Sequence, residues 1–283
     1  MMDLIDAHLH FFDLDKGDYQ WLKPHNPPFW TDKPVIAQNW TESDLTLPSN
    51  LKLAGYVHIE AGFDNTRSWR EIEWLEHQNQ LPFRSVACID LTKKNKEFVQ
   101  DLRQLKQYQT VVGVRHILDD DANSLLSLSS VKKNLEQLAD HDFLFELQMP
   151  FTNKASVEQL DSILSNIPHL SIIINHAGFP PKVSDEQFSL WVSNMRSIAK
   201  HPRAAIKCSG WEMSDREYDL EWALTVIEQC IYDFGQDRVM LASNFPLCLF
   251  SRGYSEYWQS FLNLPDDTKK ALLSDNARRW YKF

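Results

Sequence analysis

The chain is short of glycine, of long apolar runs and of common nucleotide or hydrolase motifs, and each shortage excludes a class of protein. Only 8 of its 283 residues are glycine, and no Gly/Ser/Pro-rich stretch separates two halves. No apolar run approaches the roughly 18 residues of a membrane-spanning helix, and no positive charge precedes the first apolar residues as in a signal peptide. No G-x-G-x-x-G, P-loop, G-x-S-x-G or H-E-x-x-H occurs. We therefore expect a cytoplasmic protein without a dinucleotide cofactor.

Positive charge is also scarce, because 29 Lys and Arg face 39 Asp and Glu, a formal net charge of −10. Without a basic block, this charge repels phosphate backbones and anionic lipid, so we expect neither nucleic acid nor a membrane as partner. The cysteines, Cys88, Cys208, Cys230 and Cys248, show no C-x-x-C spacing and predict reduced, mostly buried thiols. A small molecule is the expected partner, and the oligomeric state is left open.

Eight short apolar runs alternate with stretches in which apolar residues recur at three- and four-residue spacing. The predicted strands are 4–10, 51–61, 83–91, 111–117, 143–149, 171–178, 204–210 and 239–245. The predicted helices are 66–80, 93–108, 123–141, 153–166, 185–201 and 215–234. Alternation of this kind predicts an α/β fold with a parallel sheet. Eight units in this length favour a single (β/α)8 TIM barrel over two doubly wound domains.

We accordingly predict one domain over residues 1–283, with a long loop after the first strand. Residues 11–50 form this loop and carry Trp21, Trp30 and Trp40 together with several prolines. Loops of this length are uncommon unless functional. Because barrels keep their active sites at the carboxyl ends of the strands, this loop is expected to cover the site.

Three histidines stand at predicted strand ends. His8 and His10 are two apart on the first strand and so point the same way, while His176 closes a later apolar run. Taken alone, each of them is explained equally well as an ordinary buried or hydrogen-bonded histidine and as a functional one. Three imidazoles aimed at one mouth suit a zinc ion with an open position for water.

Other polar residues end the apolar strands as well. Buried and unpaired, they would cost several kcal/mol, so together they predict a polar network or a binding site. They are His58, Glu60, Asp90, Arg115, His116, Glu146, Gln148, Lys207, Ser209, Ser243 and Asn244.

The chain resembles the amidohydrolase superfamily, in particular the amidohydrolase 2 branch that includes L-fuconolactonase and 2-pyrone-4,6-dicarboxylate lactonase. The resemblance runs from end to end of the chain. The matching stretches, in family order, are IDAHLHFFD, VHIEAG, ACIDL, GVRHIL, INHAGFP, MRSIAKHPRAAIKCSGW, FGQDRVMLASNFP and DNARRWY.

This resemblance implies a barrel that opens a small lactone by attack of water on its ester carbonyl, a role in carbohydrate metabolism. It assigns His8, His10 and His176 to the catalytic site, as ligands of one divalent metal (Zn or Mn) where one is bound. Metal-independent members of the branch leave that requirement open. Arg115 and Lys207 would line the substrate site; we add Glu60 and Trp30 as candidate substrate-binding residues.

Asn244 departs from the family pattern, in which Ser-Asp-Trp-Pro ends the last strand and the aspartate deprotonates the attacking water. Here the run is Ser-Asn-Phe-Pro, and an amide does not accept a proton at neutral pH. Three explanations stay open: another base such as His176 or Glu60, a metal that acidifies the water, or ligand binding without turnover.

Three functions follow from these observations. The first is a hydrolase acting on a small, polar, sugar-derived lactone. The second is a catalytically impaired relative that binds a small molecule, and the third is a metal-dependent amidohydrolase or decarboxylase. One Arg and one Lys at the mouth favour a neutral or monoanionic ligand, unless Arg67 and Arg252 in neighbouring loops add their charge.

Overall fold

The computed structural model describes residues 1–283 and contains one eight-stranded parallel sheet with the strands in sequence order. This is the predicted single (β/α)8 barrel. The strands are β1 (Met2–Leu9), β2 (Leu51–Ile59), β3 (Phe83–Cys88), β4 (Val111–Ile117), β5 (Leu144–Gln148), β6 (Ile172–Ile174), β7 (Ala204–Cys208) and β8 (Val239–Leu241).

Helices follow the strands and cover the outside of the sheet. They are α1 (Trp69–Gln78), α2 (Asn95–Leu105), α3 (Ala122–Ser127), α4 (Ser129–Asp140), α5 (Lys154–Asn166), α6 (Gln187–Ala199), α7 (Trp211–Ser214), α8 (Leu220–Phe234), α9 (Tyr254–Ser260), α10 (Asp266–Lys270) and α11 (Asn276–Trp280). A π-helical turn, Ala271–Asp275, joins the last two. No helix is both long and apolar enough to cross a membrane.

Two apolar layers explain why the strands are nearly continuous runs of apolar residues. The larger layer lies between sheet and helices, and a smaller one fills the barrel interior with side chains such as Ile5, Val57, Ile173 and Met240. Because alternate residues face inward, each strand delivers its inward-facing terminal residues to the same end of the barrel.

The barrel closes between β1 and the segment after β8. The backbone amide of His10 donates to the Phe245 carbonyl at 2.7 Å, and that of Asn244 donates to the His8 carbonyl at 2.8 Å. These bonds bring the first strand's histidines beside Asn244, which lies more than 230 residues later in the chain.

Asp6 reinforces this seam. Its buried carboxylate accepts hydrogen bonds from the Ser243 amide (2.9 Å), the Ser243 hydroxyl (2.5 Å), the Tyr254 hydroxyl (3.1 Å) and the His8 amide (3.2 Å). Burial raises its pKa to about 6, against these hydrogen bonds, which favour the charged form. The Asp of the first motif is therefore structural.

A register shift in β1 decides where its histidines point. Asp6 pairs with Tyr56 and Leu9 with His58, so β1 has one more residue than β2 in this interval. Ala7 belongs to the interior layer and Leu9 to the outer one. The extra residue lets His8 face the barrel mouth beside His10, as bulges commonly do near active sites.

Several predicted bounds differ from the structure. The predicted strands 171–178 and 239–245 end early, because His176, Ala177, Phe179 and Asn244 adopt left-handed backbone conformations. The predicted helix 123–141 is two helices broken at Leu128, whose backbone is extended. The sequence patterns predict no helix beyond β8, where the structure has three.

The loop 11–50 lies over the carboxyl ends of the strands, as predicted. Three short 3₁₀ helices shape it, Gln20–Leu22, Lys33–Val35 and Glu42–Asp44. Its buried side chains, among them Phe12, Tyr19 and Ile36, pack into a separate apolar cluster with Phe63 and Leu247. All four cysteines are free, and three of them are buried.

Candidate functional site

A cavity of about 590 Å³ opens at the carboxyl end of the barrel beneath the loop 11–50. Its polar wall combines strand-end residues from distant parts of the chain, and its apolar wall combines loop aromatics with later connections. The lining includes His10, Glu60, Arg115, Asp119, Gln148, His176 and Asn244 on the polar side and Trp21, Pro27, Pro28, Trp30, Phe179, Met213 and Leu247 on the apolar side.

The three predicted histidines converge at the floor of this cavity. The ring centroids of His8 and His10 lie 5.0 Å apart, and those of His8 and His176 lie 4.7 Å apart. His10 and His176 line the cavity, whereas His8 lies just beneath it, fully buried, with neither ring nitrogen hydrogen-bonded.

Hydrogen bonds hold two of these rings in place. The His10 Nδ1 lies 2.8 Å from the Ile59 carbonyl oxygen, which only accepts. Nδ1 therefore carries the proton, and Nε2 keeps a free lone pair. The His176 Nδ1 lies 3.0 Å from the Ser209 hydroxyl, which pairs with either tautomer.

All three imidazoles are electrically neutral at pH 7. Burial is the largest effect and holds the pKa of His8, His10 and His176 well below the usual histidine range. The positive charges of Lys207 and Arg115 lower the pKa values further. Neutral rings with free nitrogens are able to accept a proton.

Arg115 and Glu60 form an ion pair on the polar wall. Arg115 donates Nε to Glu60 Oε1 (2.8 Å) and Nη2 to the Glu60 carbonyl (2.8 Å), and Nη2 also lies 2.7 Å from Oε1. Its Nη1 donates to Gln148 Oε1 at 2.9 Å, and Gln148 donates onward to Asp119. One of the five guanidinium hydrogens, on Nη1, is left for a ligand.

Lys207 lies below the cavity and does not line it. Its ammonium group is 2.6 Å from Glu146 Oε2, and both side chains are fully buried. The Tyr281 hydroxyl donates to Glu146 Oε1 at 2.5 Å from the opposite end of the barrel. Burial lowers the pKa of Lys207 to about 8, although Glu146 raises it. The direct role of Lys207 in substrate binding stays a prediction.

The other predicted strand-end residues divide into groups. Glu60, Arg115, Gln148 and Asn244 line the cavity. Ser243 is bound to Asp6 at the seam, and His58 packs against Phe11 with no hydrogen bond to its ring. Asp90 and His116 bind the backbone amides of Thr92 and Leu91 and contribute nothing to the cavity.

The predicted metal ligands form only part of a metal site. His10 has the hydrogen-bonded Nδ1 and free Nε2 of many zinc-bound histidines. No group of three His, Cys, Asp or Glu side chains is arranged to hold a metal ion, however, and positively charged Lys207 and Arg115 act on the same rings. The arrangement does not fit a bound metal, and we derive no step through one.

Gly210 makes room for the His176 ring. It has a φ of 68°, and a β-carbon there would lie 2.7 Å from the His176 Cγ. We expect Gly210→Ala to displace the ring and to destabilise the fold by about 1–2 kcal/mol through the left-handed backbone alone. The histidine ring NMR signals and urea unfolding measure the two effects.

Gly235→Ala is the control for a positive φ, because Gly235 has a φ of 80° and its added β-carbon would meet only Asp237 Oδ1 at 3.2 Å. It should lose stability without altering the His176 signals. Equal ring signals in the two variants would contradict the fit between Gly210 and His176.

Sequence reasoning missed two acidic residues of the site. Asp119 lines the cavity with a left-handed backbone (φ 40°) directly after β4. Glu212 lies in α7, where its Oε1 accepts from the Asn244 side-chain amide at 2.6 Å. Asp119 had a positional signal, since it follows a strand end, but the single turn of α7 is too short to show a period.

The chain is similar to known proteins over most of its length. The chain is 28% identical to the Sinorhizobium fredii protein y4mH, over 99% of this chain and 98% of that one. It is 22% identical to the L-fucono-1,5-lactonase of Burkholderia multivorans, over 89% of this chain and 85% of that one.

A crystal structure of an amidohydrolase from Burkholderia multivorans with bound zinc superposes with a TM-score of 0.78. It is 19% identical and covers 99% of both chains, which shows a common fold. A family model described as amidohydrolase matches residues 5–283.

Proposed function

Since the chain belongs to the amidohydrolase family, we propose that it is a hydrolase that opens a small, neutral, sugar-derived lactone. The observation that carries this proposal is the cavity itself. Neutral imidazoles, an arginine with one free hydrogen and the Asn244 amide meet there around a space of about 590 Å³. A volume of this order holds a single small ring with its substituents.

Water attack needs a base, and His10 is the best placed. Its Nδ1 proton is held by Ile59, so Nε2 accepts the proton as the water oxygen bonds to the ester carbonyl carbon. Glu60, the alternative base, is engaged by Arg115 through the same oxygen at 2.7 and 2.8 Å. Two donors of Arg115 already occupy this oxygen, so it is not free to approach the water.

The tetrahedral intermediate carries negative charge on the former carbonyl oxygen. The free Nη1 hydrogen of Arg115 is available to donate to it. The ring C–O bond then breaks, and the leaving oxygen takes the proton from His10. The product is a hydroxy acid, which releases a proton at neutral pH.

The charges on the cavity wall support a neutral substrate. Arg115 is the only Lys or Arg that lines the cavity, and Glu60 already neutralises it. Arg67 is paired with Asp64, and Arg252 donates to Ser260, so neither adds charge there. Asp119 and Gln148 offer hydrogen bonds to hydroxyl groups, and Trp30 offers a flat apolar face.

A pH-indicator assay over a panel of lactones tests the proposal. We expect acid release from neutral aldonolactones and at least about tenfold lower kcat/KM for a pyrone dicarboxylate, because two carboxylates would face Asp119 and a neutralised Arg115. Each reaction is run with chelator, with zinc and with manganese, which decides the metal requirement directly. Silence on every lactone would end the proposal.

A second candidate function is ligand binding without turnover, favoured by Asn244 at the position of the family's aspartate. Calorimetric titration with the same lactones separates the two. Binding with no acid release over hours would support it, whereas measurable turnover by the purified protein would exclude it.

A further inference from the structure

A buried carboxyl group stands directly behind Asn244. Glu212 is 1% exposed and lies in α7, and its Oε1 accepts from Asn244 Nδ2 at 2.6 Å. Its Oε2 has no hydrogen-bond partner. Glu212 does not line the cavity, but Asn244 does, so any influence of Glu212 on a ligand passes through that amide.

We propose that Glu212 is a positioning residue that turns the Asn244 side chain so that its carbonyl oxygen, and not its NH2 group, faces the attacking water. The inference deepens the proposed function and rests on it. It also explains how an asparagine serves at a position where an aspartate is expected.

The argument depends on what each group is able to donate. A carboxylate only accepts hydrogen bonds, so the Asn244 NH2 group must face Glu212 and the carbonyl oxygen must face away from it. That oxygen is then free to accept a hydrogen bond from the water. This bond orients a lone pair of the water toward the ester carbonyl carbon but does not remove a proton. His10 takes the proton instead.

The backbone fixes both partners. Asn244 has a φ of 59°, and its backbone amide donates a hydrogen bond to the His8 carbonyl. Gly210, with a φ of 68°, turns the chain into α7 immediately before Glu212. The contact is therefore set by two tight turns at the ends of neighbouring strands.

Protonation of Glu212 would reverse the arrangement. Burial raises its pKa to about 7, although the Asn244 hydrogen bond and the charge of Arg216 oppose this. The other titratable groups facing it, Tyr218, Cys248 and Tyr257, have raised pKa values and are neutral at pH 7. A protonated carboxyl donates to the Asn244 oxygen, so the NH2 group turns toward the cavity and the water is misaligned.

The test uses Glu212→Gln, which keeps the size of the side chain and removes its titration. In the wild type, the Asn244 NH2 signals in nitrogen-15 NMR should shift with a midpoint near pH 7, and kcat should fall below that pH. In Glu212→Gln both changes should disappear, with kcat several-fold lower at pH 8, because glutamine both donates and accepts and no longer fixes the amide. Asn244→Asp identifies the NMR signals by their loss.

Asn244→Asp also provides a stability readout independent of activity. It places two carboxyl groups at the same contact, so its urea midpoint should fall as the pH rises from 6 to 9. The double variant Asn244→Asp/Glu212→Gln should lose this pH dependence. A pH-independent midpoint in the single variant would contradict the contact.

The proposal is overturned if the wild-type amide signals do not titrate, or if the acid fall in kcat persists in Glu212→Gln. If the wild type opens no lactone, the proposed function fails and so does the role in orienting water. The NMR titration and the stability series then still decide whether Glu212 sets the Asn244 amide, so the two failures are distinguishable.

Discussion

His10→Gln is expected to lower kcat by about 10²- to 10⁴-fold while leaving KM nearly unchanged, because a general base acts in the transition state. The glutamine side chain still reaches the Ile59 carbonyl through its NH2 group, but it has no nitrogen that accepts a proton at neutral pH. Initial rates on the best lactone of the panel, measured between pH 6 and 9, give both constants.

His58→Leu is the control, because the His58 ring lies 6.4 Å from that of His10, is buried and has no hydrogen bond. It does not line the cavity, so activity should be retained. A loss in His10→Gln of less than about tenfold would transfer the role of base to His176, whose Nδ1 is held by Ser209.

The second large effect concerns stability. Lys207→Met should destabilise the fold by about 3–5 kcal/mol at pH 7, because it leaves the fully buried Glu146 without its counter-charge. Urea unfolding followed by tryptophan fluorescence measures the change.

Adding Glu146→Gln to that variant should recover most of the lost stability. The glutamine side chain carries no charge, and its carbonyl oxygen still accepts the hydrogen bond that the Tyr281 hydroxyl donates to Glu146 Oε1 in the native protein. A double variant no more stable than Lys207→Met would show that packing around the lysine stem, and not the charge, sets the energy.

The barrel and its polar end could be predicted from the sequence because both depend on short-range patterns. Alternating strand and helix periods give the order of the elements, and strand ends meet at one end of a parallel barrel. The structure brings His8, His10 and His176 together, and Arg115, Glu60, Trp30 and Asn244 line the cavity beside them. The roles of these residues stay predictions.

What the sequence could not give depends on register and on single backbone angles. Lys207 and Arg115 both stand near the ends of apolar strands, but Arg115 lines the cavity and Lys207 does not, and no local sequence pattern encodes that difference. The left-handed conformations of His176 and Asn244 occur without glycine, so the strands looked longer than they are. Glu212 was missed because its partner is 32 residues away in a turn.

The candidate site lies across the closure of the barrel, where β1 meets the segment that follows β8. His8 and His10 arrive with the first strand and Asn244 with the last, and two backbone hydrogen bonds join the edges there. Any fluctuation that separates these edges also separates His10 from Asn244. A bound ligand that contacts both edges would hold them together. Ligand binding would then stabilise the closed barrel, and closure would in turn strengthen ligand binding.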